Sequence, residues 1–271
     1  MTTTPAGPPS LGSPSRDGST GLGGPVPLGR LHVLVDTVEL AAAALDGGAP
    51  TLQVRLKAGT DAARFRLAAA IAERCRAVGA LCLVNDRADI AVAVGADGLH
   101  VGADDVPVAA VRRVVGSVAV VGGTARTPAV ARRLVAEGAS YVGVGPAYAT
   151  ASKDGLPDPI GLAGVRAVVE AVDVPVVAIA GITAARVPEV LATGAWGVAV
   201  IGAVAGADDP RSATRELAQA VDRAVGALAG ADAASGARAA AAGAAAVRAA
   251  AGAARAGPGA GAGAGVVPEP S

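Results

Sequence analysis

Residues 51–86 read TLQVRLKAGTDAARFRLAAAIAERCRAVGALCLVND and show the unit from which the fold can be predicted. A short run with β-branched residues, TLQVR at 51–55, precedes a stretch with helically spaced apolar residues, and a second apolar run, ALCLVN at 80–85, follows it. Near-continuous apolar runs are typical of parallel strands that are buried on both faces. The segment therefore predicts a strand, a helix and a second strand parallel to the first.

Eight such strands can be identified, each followed by a helical stretch. They are LHVLV (31–35), TLQVR (51–55), ALCLVN (80–85), DGLHV (97–101), VAVVG (118–122), SYVGVG (140–145), PVVAIA (175–180) and GVAVIG (197–202). Several helices are predicted to end at a left-handed glycine shortly before the next strand, namely Gly79, Gly95, Gly138 and Gly194. This alternation predicts an α/β fold with a single (β/α)8 TIM barrel. The alternative is a doubly wound open sheet, which normally has fewer strands and one ligand site at a switch point.

The two ends of the chain differ from this central part in composition. Residues 1–29 are rich in Pro, Gly, Ser and Thr, and residues 228–271 are mostly Ala and Gly. Neither end offers enough apolar surface to offset the entropy lost on folding, so we expect disordered tails around a barrel domain at residues 30–227. Hydrophobic residues make up 52% of the chain but aromatic residues only 1%. The core therefore has to consist mainly of Val, Leu, Ile and Ala.

Charge and cysteine content argue against several classes of protein. The net charge is zero and no basic run occurs, so neither nucleic acid nor a membrane is an expected partner. The sequence contains no apolar run of ~20 residues and no secretory signal pattern. We therefore expect a cytoplasmic protein that acts on small molecules, and assembly into a homo-oligomer is compatible with its sequence. Cys75 and Cys82 form no metal or disulfide pattern and are predicted to be reduced core residues.

Polar residues follow the second, third and fourth strands, at the end of the barrel where the chemistry of this fold takes place. Alternation along the second strand places Gln53, Arg55 and Lys57 on one side of the backbone. Asp86 follows the third strand and Asp105 the fourth, and two carboxylates with substrate phosphate oxygens suit Mg²⁺. Each aspartate could instead cap the next helix.

The fifth and sixth strands are followed by hydroxyl groups and by a lysine. The fifth strand is predicted to end in GGTART (122–127), in which Thr124 offers a hydroxyl and Thr127 precedes a proline, as a helix cap does. The sixth leads into GPAYATASK (145–153), a long polar loop that ends in Lys153. This loop is therefore predicted to belong to a binding site.

Glycines at the ends of the seventh and eighth strands predict a second anion site. Gly181 and Gly202 let backbone amides approach a phosphate closely, as is usual at this position in such barrels. Lys57 and Lys153 are the only lysines of an arginine-rich chain, and both lie at strand ends. Together with Arg55 and the two carboxylates, these residues predict a site for two anions and a metal ion.

Histidines give no support for nucleophilic catalysis. The chain has only His32 and His100, and no Ser-His-Asp or Cys-His arrangement is apparent. Alternation leaves open whether His100 faces the barrel interior or the helices. The site is therefore expected to act mainly through electrostatics.

Seven motifs occur in the order that is found in thiamine phosphate synthases, and residues 31–226 resemble that family. They are LQVRLK, LVND, GLHVGADD, VGGTART, YVGVGPAYATASK, VVAIAGIT and GVAVIG. The resemblance implies a transferase of thiamine biosynthesis. In that reaction, 4-amino-2-methyl-5-hydroxymethylpyrimidine diphosphate combines with 4-methyl-5-(2-phosphoethyl)thiazole to give thiamine phosphate and pyrophosphate.

The resemblance also implies a role for individual residues. The pyrimidine diphosphate would contact Gln53, Val54, Arg55, Leu56, Lys57, Asn85, Thr124 and Lys153. Arg55, Lys57 and Lys153 would be catalytic, and Asp86 with Asp105 would hold one Mg²⁺ per subunit. The thiazole phosphate would contact Thr150, Ala151, Ser152, Gly181, Ile201 and Gly202. The implied mechanism is dissociative, with pyrophosphate leaving before the thiazole nitrogen attacks.

Two alternatives to the synthase remain at this stage. A related thiazole tautomerase uses a histidine of the fifth-strand motif to move protons, but this chain has Arg126 there, and arginine is too basic for that role. A non-catalytic barrel that senses thiamine phosphates is the other alternative. Arg126 also replaces a histidine that is frequent in the synthases. The sequence therefore does not determine how groups near the diphosphate are positioned.

Overall fold

The computed structural model describes residues 28–117, 119–150 and 157–230, and within them eight parallel strands form a closed barrel. The strands pair in sequence order and β8 pairs with β1, through Leu31 and Val198 among others. Their bounds are β1 Leu31–Val35, β2 Thr51–Val54, β3 Leu81–Asn85, β4 Gly98–Val101, β5 Val120–Ala125, β6 Tyr141–Val144, β7 Val176–Ile179 and β8 Gly197–Val200. The predicted (β/α)8 barrel is confirmed, and the open sheet was the wrong alternative.

Helices follow the strands and cover the outside of the barrel. They are α1 Val38–Asp46, α2 Asp61–Val78, α3 Ala88–Ala93, α4 Val108–Val115, α5 Pro128–Ala136, α6 Gly161–Val169, α7 Val187–Leu191, α8 Gly202–Ala205 and α9 at 210–230. A 3₁₀ turn, Ala184–Arg186, precedes α7. No helix in the described part of the chain is both long and apolar enough to cross a membrane.

Local signals in the sequence correctly located several helix ends. Gly79 ends α2 with φ 74°, and its N–H donates to the Cys75 carbonyl. Gly95, Gly138 and Gly194 also have positive φ, at 62°, 99° and 91°. Thr127 caps α5 by accepting a hydrogen bond from the Val130 N–H, with proline in the first turn. These predictions are confirmed.

The predicted tails lie almost entirely outside the described residues. Residues 228–230, which were assigned to the C-terminal tail, belong to α9. At the other end, the Leu28 carbonyl accepts a hydrogen bond of 3.1 Å from the Trp196 indole. The described part of the barrel therefore includes a few residues beyond both predicted boundaries.

The fifth strand was predicted at 118–122, but the structure has β5 at Val120–Ala125. The Gly122-Gly123 pair was interpreted as the end of the strand, whereas both glycines lie inside it. A Cβ atom at Gly122 would lie only 2.2 Å from Cζ of Tyr141 on β6, so glycine is needed there for close approach. Thr124 is consequently a strand residue and not a loop residue.

Two hydrophobic clusters occupy the two sides of the barrel wall. The larger lies between strands and helices and consists mostly of Val, Ala, Leu and Ile. It includes Cys75 and Cys82, both buried and free, as predicted. The smaller lies inside the barrel and consists of Leu34, Leu83, Tyr141, Val177 and Ala199. This interior cluster forms the apolar floor beneath the cavity described next.

Candidate active site

A cavity of about 1180 Å³ opens at the carboxyl ends of the strands, and side chains from all eight strands line it. Interior residues such as Leu34 and Ala199 form its floor. The loops after the strands form its walls. The predicted site therefore lies at the end of the barrel where this fold places its chemistry.

The end of β2 directs its polar side chains into this cavity. Gln53, Arg55 and Lys57 line it, as alternation predicted. Val54 instead packs in the cluster between strands and helices, and Leu56 is absent from the described lining. The structure thus brings three of the five predicted residues of this segment to the cavity through their side chains.

Lys57 is held by contacts to its side chain and to its backbone. Its Nζ donates to Oδ2 of Asp86 over 2.6 Å, and half of the side chain is exposed. Arg64 on α2 donates to the Leu56 and Lys57 carbonyls, both over 3.2 Å. The loop backbone is therefore anchored, while the ammonium remains accessible from the cavity.

Asp86 and Asp105 form a carboxylate pair at the cavity wall. Burial, followed by contact with Asp105, raises the pKa of Asp86. Contact with Asp86 lowers the pKa of Asp105, whose Oδ2 also accepts from the Gly102 N–H over 2.7 Å. The opposite directions of the two shifts show that the two carboxyl groups interact closely. Oδ1 of Asp86 is buried and has no hydrogen-bond partner, so this pair still has acceptor capacity.

Neither aspartate caps a helix. α3 begins after Arg87 and α4 after Pro107, and neither start has a side-chain cap. Asp86 instead adopts φ 66°, a left-handed conformation that costs a non-glycine residue of order 1–3 kcal/mol. The cap alternative is therefore wrong for both residues, and the strained backbone of Asp86 marks a position held for its side chain.

A buried polar network lies below Thr124. His100 Nε2 is 2.9 Å from Thr124 Oγ1, and His100 Nδ1 is 2.9 Å from Tyr141 Oη. His100 thus faces the barrel interior, which settles the alternative left open by the sequence. Burial lowers the pKa of both His100 and His32 to about 4 and raises that of Tyr141. Tyr141 and His32 were missed as residues of the site, because their places in the barrel follow from strand register.

On the opposite side of the cavity, after β7 and β8, backbone atoms and glycine residues form much of the wall. Ala180 and Gly181 follow β7 with φ 81° and 67°. A Cβ atom at Gly181 would lie 2.7 Å from the Ala149 carbonyl oxygen. Ile201 and Gly202, at the start of α8, line the cavity beside them. The predicted glycines of the seventh and eighth strand ends are therefore brought together.

Arg186 adds a cation to this side that the sequence did not reveal. It lines the cavity, and its Nη1 donates to the Gly181 carbonyl over 2.6 Å. Its guanidinium lies 4.3 Å from the centre of the Tyr148 ring, and Tyr148 in turn donates to Glu189 over 2.5 Å. No strand-end pattern identifies Arg186, because it lies in the 3₁₀ turn before α7.

Some of the remaining predicted site residues lie in the part of the chain that the structure describes, and the others do not. Asn85 and Thr150 line the cavity. Ala151, Ser152 and Lys153 lie outside the described residues. Arg126 also lines the cavity, with Nη2 donating 2.8 Å to the Asp158 carbonyl and Nη1 buried without a partner.

Comparisons with known proteins agree with this geometry. The family model described as thiamine monophosphate synthase matches residues 30–204. A thiamine-phosphate synthase of Salinispora arenicola is 51% identical over 203 residues, which cover 72% of this chain and 98% of the relative. One from Moorella thermoacetica is 45% identical over 190 residues, covering 70% and 90%.

Solved structures show the same likeness. A thiamine phosphate pyrophosphorylase from Pyrococcus furiosus superposes with a TM-score of 0.67 at 36% identity, covering 72% of this chain and 96% of that one. A 3-hexulose-6-phosphate synthase at 22% identity and a TM-score of 0.55 shares the fold alone. Since the family model spans more than half of the sequence, the chain belongs to the thiamine monophosphate synthase family.

Proposed function

We propose that the chain is a thiamine phosphate synthase, a transferase. It joins the pyrimidine methylene carbon of 4-amino-2-methyl-5-hydroxymethylpyrimidine diphosphate to the ring nitrogen of 4-methyl-5-(2-phosphoethyl)thiazole. The bond between that carbon and the diphosphate oxygen breaks, and pyrophosphate leaves with the electron pair. One observation carries the proposal: in a chain of this family, a single cavity holds a cluster of charged side chains on one side and a glycine cradle on the other.

The diphosphate is assigned to the side formed by β2, β3 and β4. Arg55 and Lys57 face the cavity there, Asn85 adds an amide, and Thr124 on the neighbouring β5 adds a hydroxyl. Negative charge grows on the leaving oxygen during the reaction, and fixed cations in a partly enclosed site stabilise it without reorganising. Lys153 is expected to join them, although it lies outside the described residues.

Asp86 and Asp105 are the residues that would hold one Mg²⁺ per subunit. Their fit rests on the buried, unpartnered Oδ1 of Asp86 and on the close interaction of the two carboxyl groups, which a divalent cation between them would stabilise. Across residues 28–117, 119–150 and 157–230, no cluster of three or more His, Cys, Asp or Glu residues suits a metal. Such a site of two carboxylates is completed by water and phosphate oxygens, as Mg²⁺ prefers, and the ion would neutralise charge on the leaving diphosphate.

The thiazole phosphate is assigned to the glycine side. Gly181, Ile201 and Gly202 present backbone close to the cavity, and Thr150 lines it as well. Ala151 and Ser152 are expected to contribute from outside the described residues. This phosphate keeps its charge through the reaction, so backbone donors that hold it in place are sufficient.

A dissociative substitution needs no strong base, and the site offers none in its floor. His32 is buried and His100 is partly buried at the cavity floor, and desolvation lowers the pKa of both to about 4, so both are neutral near pH 7. His32 Nε2 donates to the Gly29 carbonyl over 3.0 Å, and both nitrogens of His100 have partners. The thiazole nitrogen attacks through its lone pair and loses no proton. The histidines are therefore free to serve as structural polar groups.

Wider properties follow from the same proposal. The substrates are small molecules, and the zero net charge gives no support for a nucleic-acid or membrane partner. We place the protein in the cytoplasm and retain a homo-oligomer as an expectation. A thiazole tautomerase is disfavoured because Arg126 cannot exchange protons near neutral pH.

A direct assay tests the proposal against the non-catalytic alternative. The full chain is mixed with both substrates and Mg²⁺, and pyrophosphate and thiamine phosphate are measured. We expect equal amounts of the two products, and neither when one substrate or Mg²⁺ is omitted. Binding of both substrates without pyrophosphate release would show that the protein is a sensor and not a synthase.

A further inference from the structure

The network around His100 connects the cavity to the barrel floor through one chain of polar groups. Thr124 on β5 lines the cavity and contacts His100 on β4, which contacts Tyr141 on β6. Burial raises the pKa of Tyr141, and an interaction with the Gln53 amide on β2 partly offsets that rise. Four neighbouring or opposing strands thus contribute one polar side chain each.

The two rings have little freedom to turn. A Cβ atom at Gly122 would lie 2.5 Å from His100 Nδ1, and one at Gly143 would lie 2.8 Å from His100 Cε1. His32 packs edge-on against Tyr141 with 5.4 Å between ring centres. Two glycines therefore make room for the rings, and the surrounding packing holds the imidazole with Nε2 towards Thr124.

The direction of hydrogen bonding in this network decides what Thr124 can do. Neutral imidazole has one N–H donor and one acceptor nitrogen. If Nδ1 carries the proton, the Thr124 hydroxyl must donate to Nε2 and presents only lone pairs to the cavity. If Nε2 carries the proton, it donates to Thr124 Oγ1, and the Thr124 proton is free to point into the cavity. Only the second arrangement attracts an anion.

The partners on the other side of the ring favour the second arrangement. The Gln53 NH₂ group can donate to the Tyr141 oxygen, which leaves the Tyr141 proton for His100 Nδ1. A single direction then runs from Gln53 through Tyr141 and His100 to Thr124, and every donor finds an acceptor. Such a chain is polarised cooperatively and favours one tautomer.

We infer that His100 is a positioning residue: its Nε2–H donates to Thr124 and thereby directs the Thr124 hydroxyl proton at the leaving diphosphate. This inference rests on the proposed function, because it takes the anion on this side of the cavity to be the diphosphate. His100 lines the cavity floor below Thr124, and the role assigned to it is to orient the Thr124 hydroxyl. Its effect on catalysis passes through Thr124.

The tautomer can be measured without turnover. The chain contains two histidines, so ¹⁵N-histidine labelling of the full chain gives two sets of imidazole signals at pH 7. The signals that disappear in His100→Gln, or that remain in His32→Gln if the first variant does not fold, belong to His100. We expect the proton on Nε2. A proton on Nδ1 would overturn the inference.

A double-mutant cycle on kcat tests whether His100 acts through Thr124. We expect Thr124→Val to lower kcat by about 10², the usual cost of one lost donor, and His100→Leu to lower it by about 10. In the Thr124→Val background, His100→Leu should lower kcat less than about twofold further, because both changes remove the same interaction. His100→Gln keeps an N–H donor near Nε2 and should recover most of kcat. Losses that multiply would show that His100 acts independently of Thr124.

The two experiments separate this inference from the function on which it rests. The KM for thiazole phosphate should be unchanged in all four variants, which a general loss of structure would not allow. If the unmodified chain releases no pyrophosphate, the proposed function fails while the tautomer remains measurable. If turnover is normal and His100 carries its proton on Nδ1, only the positioning role is lost.

Discussion

The two sides of the cavity offer different kinds of group to an anion. On the side of β2, β3 and β4, charged side chains meet, with Lys57 paired to Asp86 and Asp105 close by. On the side of β7 and β8, the backbone passes through Gly181 and Gly202, and the added cation, Arg186, is tied to a carbonyl. Side-chain charge suits an anion whose charge grows and which then departs, whereas a backbone cradle suits an anion that only has to be held. Substitutions on the two sides should therefore affect different kinetic constants.

The largest effect is expected from the carboxylate pair. Asp86→Ala and Asp105→Ala should each lower Mg²⁺-dependent kcat by about 10²–10³, because charge on the leaving group is no longer neutralised. Thiazole phosphate binding, measured by calorimetry, should change little. Asp104→Ala is the matched control, since Asp104 also lines the cavity but is not part of the pair. Equal loss of turnover and thiazole binding would show that the metal is misplaced.

Removing the ammonium group of Lys57 should have the next largest effect. Lys57→Ala is expected to lower kcat by about 10² in the pyrophosphate-release assay. Lys57→Arg should recover only part of this, because a planar guanidinium cannot replace a compact charge between Asp86 and the anion. Arg66→Ala, on the surface of α2, provides a control for loss of a positive charge. A Lys57→Ala variant that changed only the KM for thiazole phosphate would contradict the division between the two sides.

A glycine substitution should have the opposite kinetic signature. Gly181→Ala introduces a Cβ 2.7 Å from the Ala149 carbonyl oxygen at φ 67°, so the cradle has to shift. We expect the KM for thiazole phosphate to rise about tenfold while kcat changes little, which is the pattern of lost uniform binding. Gly161→Ala is a matched control with φ 66° and no atom within 4 Å, so it carries the backbone strain without the steric clash. If both variants raised KM equally, strain and not the cradle would be responsible.

The smallest effect is expected from the two histidines in the cavity floor, and it concerns stability and not catalysis. The folded-state pKa values of His32 and His100 are about 4, below the ordinary value of 6.5, because both rings are buried. The unfolded chain therefore binds protons first as pH falls, and the free energy of unfolding should decrease between about pH 6.5 and pH 4. Urea denaturation at several pH values measures this. The decrease should be smaller in His32→Gln, and a flat profile in the unmodified chain would mean that the rings are not held neutral.

The sequence predicted one side of the cavity better than its floor. Gln53, Arg55 and Lys57 were placed correctly because alternation along a strand is a local property. The same alternation indicates that the side chains of Val54 and Leu56 point away from the site. The family resemblance nevertheless assigned all of residues 53–57 to the substrate, because it was applied to the whole segment. The glycines after β7 and β8 were likewise found from position alone.

What the sequence could not predict depends on register between strands. Gly122 was interpreted as the last residue of the fifth strand, yet it lies within β5 and makes room for Tyr141. The link from Thr124 to His100 and Tyr141 requires three strands to be aligned, which no single segment encodes. Arg186 was missed because its place above Gly181 is set by the turn before α7.

The central claim is that the two anions bind on different sides of one cavity, and crossed binding measurements test it most directly. Calorimetry measures Mg²⁺-dependent pyrophosphate binding and thiazole phosphate binding for the unmodified chain, Asp86→Asn and Gly181→Ala. We expect Asp86→Asn to abolish the first and leave the second within about twofold, and Gly181→Ala to weaken only the second. If either substitution weakened both ligands equally, or if the effects were exchanged, the assignment of the two sides would be contradicted.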